Sequence, residues 1–193
     1  MEDEKYINVN RTKIRVIEKG EGKYIFLFHG ARFNAETWLS TNTIDSLVNS
    51  GFKVVSVDFP GFGKSERGNY YNLSEFIKDL VLTYNVDKAY YLGASMGGEA
   101  VLGFAVNNPD FVEGLILVGP VGVEKYKEKL KVLDGKKILL IWGKNDNISP
   151  ISNAELILNN VKTAKLVYVG NNHVCYLDDP KKFNEEIIKF LKE

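Results

Sequence analysis

The sequence has few of the residues that mark disulfide-stabilised or metal-binding proteins. Its 193 residues include a single cysteine, Cys175, so no disulfide can form within the chain. Only two histidines are present, His29 and His173. A chain that does not use disulfides is typical of the cytoplasm, which is the location we expect. We expect no metal ion and no other cofactor.

Long apolar runs and an excess of one charge are also missing. No apolar stretch approaches the roughly 18 residues of a membrane-spanning helix, and the N-terminal MEDEKYINVN lacks the apolar core of a secretion signal. The 25 basic residues balance 25 acidic ones, whereas nucleic-acid binding normally requires a basic excess or stripe. We therefore expect neither a membrane nor a nucleic acid as a partner. The sequence leaves the oligomeric state open.

What the sequence does contain is a regular alternation of short apolar runs and segments with helical spacing. Without an internal repeat or a linker, it predicts a single domain over residues 1–193. Predicted strands lie at 5–10, 13–20, 24–30, 53–58, 88–95, 112–119, 136–143 and 164–170, the first two as a hairpin around Asn10-Arg11. Predicted helices lie at 35–51, 72–85, 96–108, 151–160 and 179–193. This alternation predicts an α/β fold, in which helices on both faces cover a mostly parallel sheet.

Ser95 stands at the end of one predicted strand, in the segment GASMG. Gly93 and Gly97 lie two residues before and two residues after it. A strand that turns sharply into a helix needs small residues at these positions, and such a turn exposes the serine hydroxyl above the sheet. The alternative is a turn that needs small residues for packing alone. The placement of this G-x-S-x-G pattern between a strand and a helix favours Ser95 as a catalytic nucleophile.

A serine nucleophile requires a base, and a carboxylate that orients the base. His173 follows the last predicted strand, which is where the base is expected in the chain order serine, acid, histidine. Asp146, in WGKND, follows the preceding strand and is the predicted acid. Asp58, in DFPGFGKS, is the rival candidate. Its proline and glycine neighbours indicate instead a rigid turn held by structural hydrogen bonds.

Acyl transfer also needs two N–H donors for the oxyanion that forms during the reaction. The predicted donors are the backbone N–H groups of Met96, directly after the nucleophile, and of Ala31, in the loop after FLFHG. In that loop, Gly30 is expected to permit a close approach of the backbone, and His29 is expected to brace the loop.

Arg32 follows the predicted donor Ala31 and leaves two interpretations open. It either forms an ion pair with Glu36 or Asp58, or it contacts an anionic group of a substrate. The sequence does not decide between these two interpretations.

Several motifs resemble those of the α/β-hydrolase superfamily: LFHG, DFPGFGKS, GASMG, WGKND and NNHVCYLDDP, which cover the chain from about residue 23 to its end. Two longer segments, HGARFNAETW and HVCYLDDP, are similar to patterns of the α/β-hydrolase domain-containing protein 14 family. The resemblance implies a Ser-Asp-His triad at Ser95, Asp146 and His173. It also implies an eight-stranded sheet with one antiparallel edge strand. The segment between the sixth and seventh strands leaves room for one short helix, so no large cap domain is expected.

The sequence thus predicts a carboxylesterase-like serine hydrolase. We expect it to cleave short-chain acyl esters or related acyl groups of small molecules through an acyl-enzyme intermediate. The resemblance also leaves open an acyltransferase or deacetylase that moves acetyl groups to another acceptor. A non-catalytic protein-interaction module on the same fold is a third alternative, because a fold alone does not guarantee activity.

Overall fold

The computed structural model describes residues 3–193, whose strands form one sheet. The strands are β1 (Glu4–Val9), β2 (Thr12–Lys19), β3 (Lys23–Phe28), β4 (Phe52–Val57), β5 (Ala89–Ala94), β6 (Val112–Val118), β7 (Lys137–Trp142) and β8 (Ala164–Tyr168). The helices are α1 (Thr37–Ser40), α2 (Thr43–Asn49), α3 (Leu73–Tyr84), α4 (Met96–Asn107), α5 (Ile151–Asn160), α6 (Cys175–Asp178) and α7 (Pro180–Lys192). Two 3₁₀ helices span Pro109–Phe111 and Val123–Leu133. The domain predicted over 1–193 includes residues 1 and 2, which lie outside the described residues.

The sheet has eight strands in the order β1-β2-β4-β3-β5-β6-β7-β8. β1 and β2 are joined by Asn10 and Arg11 with φ values of 47° and 66°, the backbone that a two-residue hairpin turn requires. The predicted hairpin is therefore confirmed.

β2 also runs antiparallel to β4, and the remaining neighbours are parallel. The expectation of an antiparallel edge strand is wrong in position: β2 is the antiparallel strand, and it lies one strand in from the edge. The tight turn reverses the chain, so the edge strand β1 runs in the direction of β3 to β8.

Helices cover both faces of the sheet, as predicted. Successive residues of a strand point to opposite faces, and β3 shows the division. Phe26 and Phe28 belong to one core cluster with residues of α3, α4 and α5. Ile25 and Leu27 belong to a second cluster with residues of α1, α2, α6 and α7. Because both faces are buried, the central strands are apolar at nearly every position.

The helix predicted over residues 35–51 is two short helices, α1 and α2. Asn42, between them, has a φ of 62°, a left-handed conformation that interrupts an α-helix. The hydroxyl groups of Thr41 and Thr43 lie 2.8 Å apart, and Thr43 donates a hydrogen bond of 2.8 Å to the side chain of Asn184 in α7. These contacts with a helix more than a hundred residues away fix the break, which local spacing does not reveal.

The segment between β6 and β7 packs beside the sheet as the 3₁₀ helix Val123–Leu133. Its buried side chains Val123, Leu130 and Leu133 join the core cluster of α3, α4 and α5. Within residues 3–193, nothing larger is inserted between these two strands. None of the helices that the structure describes is both long and apolar enough to cross a membrane.

Candidate active site

Ser95 occupies the sharp turn between β5 and α4, with a φ of 54° and a ψ of −113°. Residues with a side chain rarely adopt this backbone, and it carries strain. The space around the turn is restricted. A Cβ atom at Gly97 would lie 2.6 Å from the carbonyl oxygen of His29, and one at Gly93 would overlap the carbonyl group of Gly97. Both flanking positions therefore require glycine, as the G-x-S-x-G pattern predicts.

Ser95, His173 and Asp146 come together beyond the carboxyl ends of β5, β8 and β7. The hydroxyl oxygen of Ser95 lies 2.8 Å from Nε2 of His173, and Nδ1 of His173 lies 2.7 Å from Oδ2 of Asp146. Since a carboxylate only accepts hydrogen bonds, Nδ1 carries the proton and Nε2 accepts from the hydroxyl of Ser95. The side chains of Asp146 and His173 are 1% and 12% exposed. The imidazole and the carboxylate are thus largely shielded from solvent, and the imidazole forms a hydrogen bond with the serine hydroxyl.

The backbone that follows Asp146 holds its carboxylate in place. Oδ1 accepts hydrogen bonds of 2.8 Å from the N–H groups of both Ile148 and Ser149, which leaves Oδ2 for His173. The hydroxyl of Ser149 donates to the carbonyl of Pro120 at 2.7 Å. This bond ties the loop after β7 to the loop after β6, so the position of the carboxylate is fixed from two strands.

The loop that carries His173 is organised by Asp178, which the sequence analysis did not single out. Oδ2 of Asp178 accepts from the backbone N–H groups of Asn171 and Asn172 at 2.8 and 2.6 Å, and Oδ1 accepts from the side chain of Asn172. The N–H groups of Asn172 and Asn171 lower the pKa of Asp178 below its usual value. The acidic pair in HVCYLDDP was the available signal, but its hydrogen-bond partners could not be identified from spacing.

Ala31 and Arg32 form the tip of a tight turn close to Ser95. The N–H of Phe33 donates to the carbonyl of Gly30 at 3.1 Å and closes this turn. In the described part of the chain, the N–H of Ala31 has no acceptor. Met96 is the first residue of α4, and the first N–H groups of a helix have no partner within it. Both predicted oxyanion donors are therefore unpaired backbone N–H groups.

Gly30 is less constrained than the sequence suggested. A Cβ atom at Gly30 would lie 3.6 Å from both the carbonyl oxygen of Ala94 and the Cβ atom of Ser95, which is an ordinary van der Waals distance. The close approach of this loop to Ser95 therefore does not depend on a glycine at position 30.

His29 is fully buried, and its ring forms hydrogen bonds with Gly30 and Phe59, whereas the hydroxyl of Ser95 pairs with His173. Nδ1 of His29 lies 2.7 Å from the carbonyl oxygen of Gly30, and its Nε2 accepts from the N–H of Phe59 at 3.1 Å. Burial lowers the pKa of His29, in agreement with a neutral ring that donates at one nitrogen and accepts at the other. These two bonds brace the loop, as the sequence analysis expected.

Asp58 and Glu36 bind Arg15 of β2. Nε of Arg15 lies 2.7 Å from Oδ2 of Asp58, and its Nη2 lies 3.4 Å from Oε2 of Glu36. Of the two interpretations of Arg32, the ion pair with Glu36 or Asp58 is therefore wrong. Within residues 3–193, Arg32 is exposed and forms no ion pair. Arg15 is remote in the sequence, and the antiparallel pairing of β2 with β4 brings it to Asp58.

A cavity of about 490 Å³ opens beside Ser95 and His173. Phe33, Ile148, Val174 and Tyr176 form apolar parts of its wall, and Arg32 adds a positive charge. Larger grooves, of about 680 and 630 Å³, lie between α2 and α7 and at the amino ends of β5 and β6. The paired side chains, and not the volume, therefore identify the site.

The family model described as alpha/beta hydrolase fold matches residues 23–132, and the chain belongs to this family. The curated relatives include Protein ABHD14A of Danio rerio, 28% identical over 86% of this chain, and Putative protein-lysine deacylase ABHD14B of Rattus norvegicus, 27% identical over 88% of this chain. The matched region is 63% of that ABHD14A and 83% of that ABHD14B. The predicted resemblance to the α/β-hydrolase domain-containing protein 14 family is confirmed.

Solved structures share the α/β-hydrolase fold of this chain. A crystal structure of a predicted CIB-like hydrolase from Thermoplasma acidophilum has a TM-score of 0.92 and 30% sequence identity, and the match covers 98% of this chain and 97% of that one. An esterase from Exiguobacterium antarcticum has a TM-score of 0.85 and 19% identity, over 97% of this chain and 99% of that one. The esterase shows only that the fold is shared.

Proposed function

We propose that the chain is a serine hydrolase that cleaves short-chain acyl esters or related acyl groups of small molecules. One observation carries the proposal: the continuous hydrogen-bonded series from Ser95 through His173 to Asp146, with distances of 2.8 and 2.7 Å. Such a series can activate a hydroxyl that is otherwise a poor nucleophile. The unpaired Cys175 suits a reducing compartment, and we propose that the enzyme works in the cytoplasm.

In the first half of the reaction, the Ser95 oxygen attacks the acyl carbon and Nε2 of His173 takes the hydroxyl proton. Asp146 holds the imidazole in the required tautomer and stabilises its charged form. The negative charge that develops on the carbonyl oxygen is bound by the N–H groups of Ala31 and Met96. His173 then donates the proton to the leaving alcohol, and the acyl group remains on Ser95.

In the second half, a water molecule attacks the acyl-enzyme. His173 accepts a proton from the water, the same two N–H groups stabilise the second oxyanion, and the acid leaves as Ser95 recovers its proton. The cycle thus uses the three side chains, the two backbone N–H groups and one water molecule.

The preference for short acyl groups rests on the form of the cavity. Nothing between β6 and β7 in residues 3–193 is large enough to enclose a long chain, and the exposed Ile148 stands in the cavity wall. A methylene group that stays in water contributes less than the ~0.8 kcal/mol of full burial. Rates on acetyl to butyryl esters should therefore equal or exceed those on decanoyl esters.

Removal of acyl groups from lysine is the second candidate, with transfer of the acetyl group to an acceptor as its variant. The rat relative ABHD14B is named a putative protein-lysine deacylase, and an uncapped cavity favours a substrate attached to a large molecule. The chemistry at Ser95 is the same, and only the leaving group or the final acceptor differs.

The test is labelling with a fluorophosphonate probe, together with turnover of p-nitrophenyl acetate, butyrate and decanoate and of an acetyl-lysine peptide. We expect labelling of the wild type and of Ser46→Ala, a variant of a serine in α2. Ser95→Ala should not be labelled, and its kcat should be lower by roughly 10⁴-fold or more.

A folded wild type that neither reacts with the probe nor turns over any substrate would support a non-catalytic interaction module. Turnover that persists in Ser95→Ala would exclude Ser95 as the nucleophile.

A further inference from the structure

Arg32 is a positive charge without a partner in the wall of the cavity that contains Ser95. Arg32 lines that cavity together with Ser95 and His173, and its side chain is exposed. In residues 3–193 it forms neither an ion pair nor a side-chain hydrogen bond. Its position at the tip of the turn closed by Gly30 and Phe33 fixes its backbone one residue beyond Ala31.

The carboxylates around the site are already engaged. Asp58 and Glu36 bind Arg15, at 2.7 and 3.4 Å. Asp146 binds His173 and two N–H groups, and Asp178 binds the loop before His173. Within residues 3–193, none of these carboxylates forms an ion pair with Arg32.

Arg32 carries a formal charge in the wall of this cavity. Apart from His173, the other side chains of the wall are neutral or apolar. The wall also contains the hydroxyl groups of Ser95 and Tyr176 and the side-chain amides of Asn147 and Asn172, and none of these carries a charge at neutral pH. A guanidinium group offers several donors in a planar fork that matches a carboxylate or a phosphate. Its charge is screened less inside a cavity with apolar walls than on an open surface.

We propose that Arg32 selects substrates that carry a carboxylate or another anionic group in addition to the acyl bond that is cleaved. This inference rests on the proposed hydrolase activity and specifies its substrate class. Arg32 acts in binding, since it contacts the anionic group and not the reacting atoms. The anionic group lies either on the acyl chain or on the leaving group, and the two substrate pairs described below distinguish these positions.

The first experiment compares kcat/KM for matched pairs of esters. For the acyl side, the pair is mono-p-nitrophenyl adipate and p-nitrophenyl hexanoate. For the leaving-group side, the pair is para-acetoxybenzoate and para-acetoxybenzamide. In at least one pair the wild type should prefer the anionic member. In Arg32→Gln the ratio of anionic to neutral kcat/KM should fall about tenfold. Arg32→Lys should retain part of the preference, because it keeps the charge and loses the fork.

Three further results separate a direct contact of Arg32 with the anionic group from a general effect of charge on the protein. Arg32→Glu should invert the preference, so that the neutral ester becomes the better substrate of the pair. Lys88→Gln, which removes one positive charge at the opposite end of the sheet, should leave the ratio unchanged. Added sodium chloride should reduce the wild-type ratio, since salt screens an exposed ion pair. An unchanged ratio in both pairs in Arg32→Gln would overturn the proposal, even with full turnover of neutral esters.

A binding measurement keeps the proposal testable if the hydrolase activity itself is absent. Titration of Ser95→Ala with monomethyl adipate and with dimethyl adipate gives the preference for a carboxylate without turnover. We expect tighter binding of monomethyl adipate, and we expect the double variant Ser95→Ala/Arg32→Gln to lose that preference. If the wild type turns over no ester while Ser95→Ala retains the binding preference, the proposed reaction alone is rejected. Equal binding of both compounds would reject the role of Arg32.

Discussion

Nε of Arg15 and Oδ2 of Asp58 lie 2.7 Å apart, with side-chain exposures of 1% and 0%. The other interactions of Asp58 are also structural: the N–H groups of Ala35 and Lys64 donate to it at 2.7 and 2.8 Å. The ion pair connects β2 to the loop after β4, and the hydrogen bond from Ala35 adds the loop after β3. The two aspartates considered for the catalytic site therefore have separate tasks, Asp58 in the scaffold and Asp146 beside His173.

Replacement of each aspartate by asparagine should separate these tasks. In Asp146→Asn, kcat should fall by about 10⁴-fold, the value known for the equivalent change in a serine protease, because the amide favours the wrong tautomer of His173. In Asp58→Asn, the free energy of unfolding should fall by about 3–5 kcal/mol, because Arg15 stays buried without its charge partner. Steady-state kinetics and urea unfolding measure both effects. A large loss of kcat in a stably folded Asp58→Asn with a normal Asp146→Asn would reverse the assignment.

Asp178 should affect catalysis through His173 without touching the substrate. Asp178→Ala removes the acceptor of the Asn171 and Asn172 N–H groups, so the loop loses its fixed geometry. We expect kcat to fall about tenfold or more with little change in KM, and we expect Asp178→Asn to recover part of the lost kcat.

Asp179→Ala is the matched control. Asp179 caps α7 through the N–H of Lys182 at 3.1 Å, so its loss should cost about 1 kcal/mol of stability and leave kcat unchanged. Equal kcat values for Asp178→Ala and Asp179→Ala would contradict the positioning role.

The strained backbone of Ser95 should be visible in stability. Ser95→Gly and Ser95→Ala both lose the hydroxyl, but only glycine adopts a φ of 54° and a ψ of −113° without strain. The glycine variant should therefore be the more stable by about 1 kcal/mol, after allowance for the greater freedom of glycine in the unfolded chain. Thermal unfolding should show a difference of roughly 2–4 °C in Tm. At Ser46, inside α2, the order should be the reverse, because glycine weakens a regular helix. The same order at both positions would argue against strain at Ser95.

His29 should make stability depend on pH. Burial lowers the pKa of His29 in the folded chain, whereas an imidazole in the unfolded chain titrates near about 6.5. As the pH falls below that value, the unfolded chain takes up a proton that the folded chain does not. The free energy of unfolding should therefore decrease from about pH 7 towards about pH 5.

The variant His29→Gln isolates this contribution. Near pH 7.5 it should be less stable than the wild type, because the bonds to Gly30 and Phe59 are disturbed. The difference in stability between the two proteins should narrow as the pH falls, since the variant has no imidazole to protonate at this position. Urea unfolding at three or four pH values measures the difference. A gap that stays constant with pH would exclude the buried ring as the source.

Local patterns were sufficient to predict the elements that carry the site. The apolar runs of β3 to β7 are buried on both faces. The residues that follow the parallel strands lie at one edge of the sheet, so Ser95, Asp146 and His173 could be proposed from spacing. The turn at Asn10-Arg11 was also visible, because its geometry depends on two neighbouring residues. The assignment of function to these positions used the motifs as well as the pattern.

The features that the sequence did not reveal depend on contacts between distant residues. Arg15 reaches Asp58 through strand pairing, so the sequence offered Arg32 as an equally reasonable partner. Asn184 fixes the break between α1 and α2 from α7. The hydrogen bonds of Asp178 run back to the loop before His173, and the residue types alone do not identify the acceptor. Each case requires the tertiary structure, since neither periodicity nor residue preference encodes the partner.

Cys175, the first residue of α6, has consequences for covalent chemistry on this protein. Its side chain is fully buried, and burial raises its pKa to about 12, so at neutral pH it is a protonated thiol that maleimides and iodoacetamides do not reach. A cysteine introduced on the exposed side of the β1–β2 turn, and another on the 3₁₀ helix Val123–Leu133, can then be modified selectively while the native residue is kept. Fluorophores attached at these two points would report distances across the molecule during turnover, in a protein whose core has not been altered.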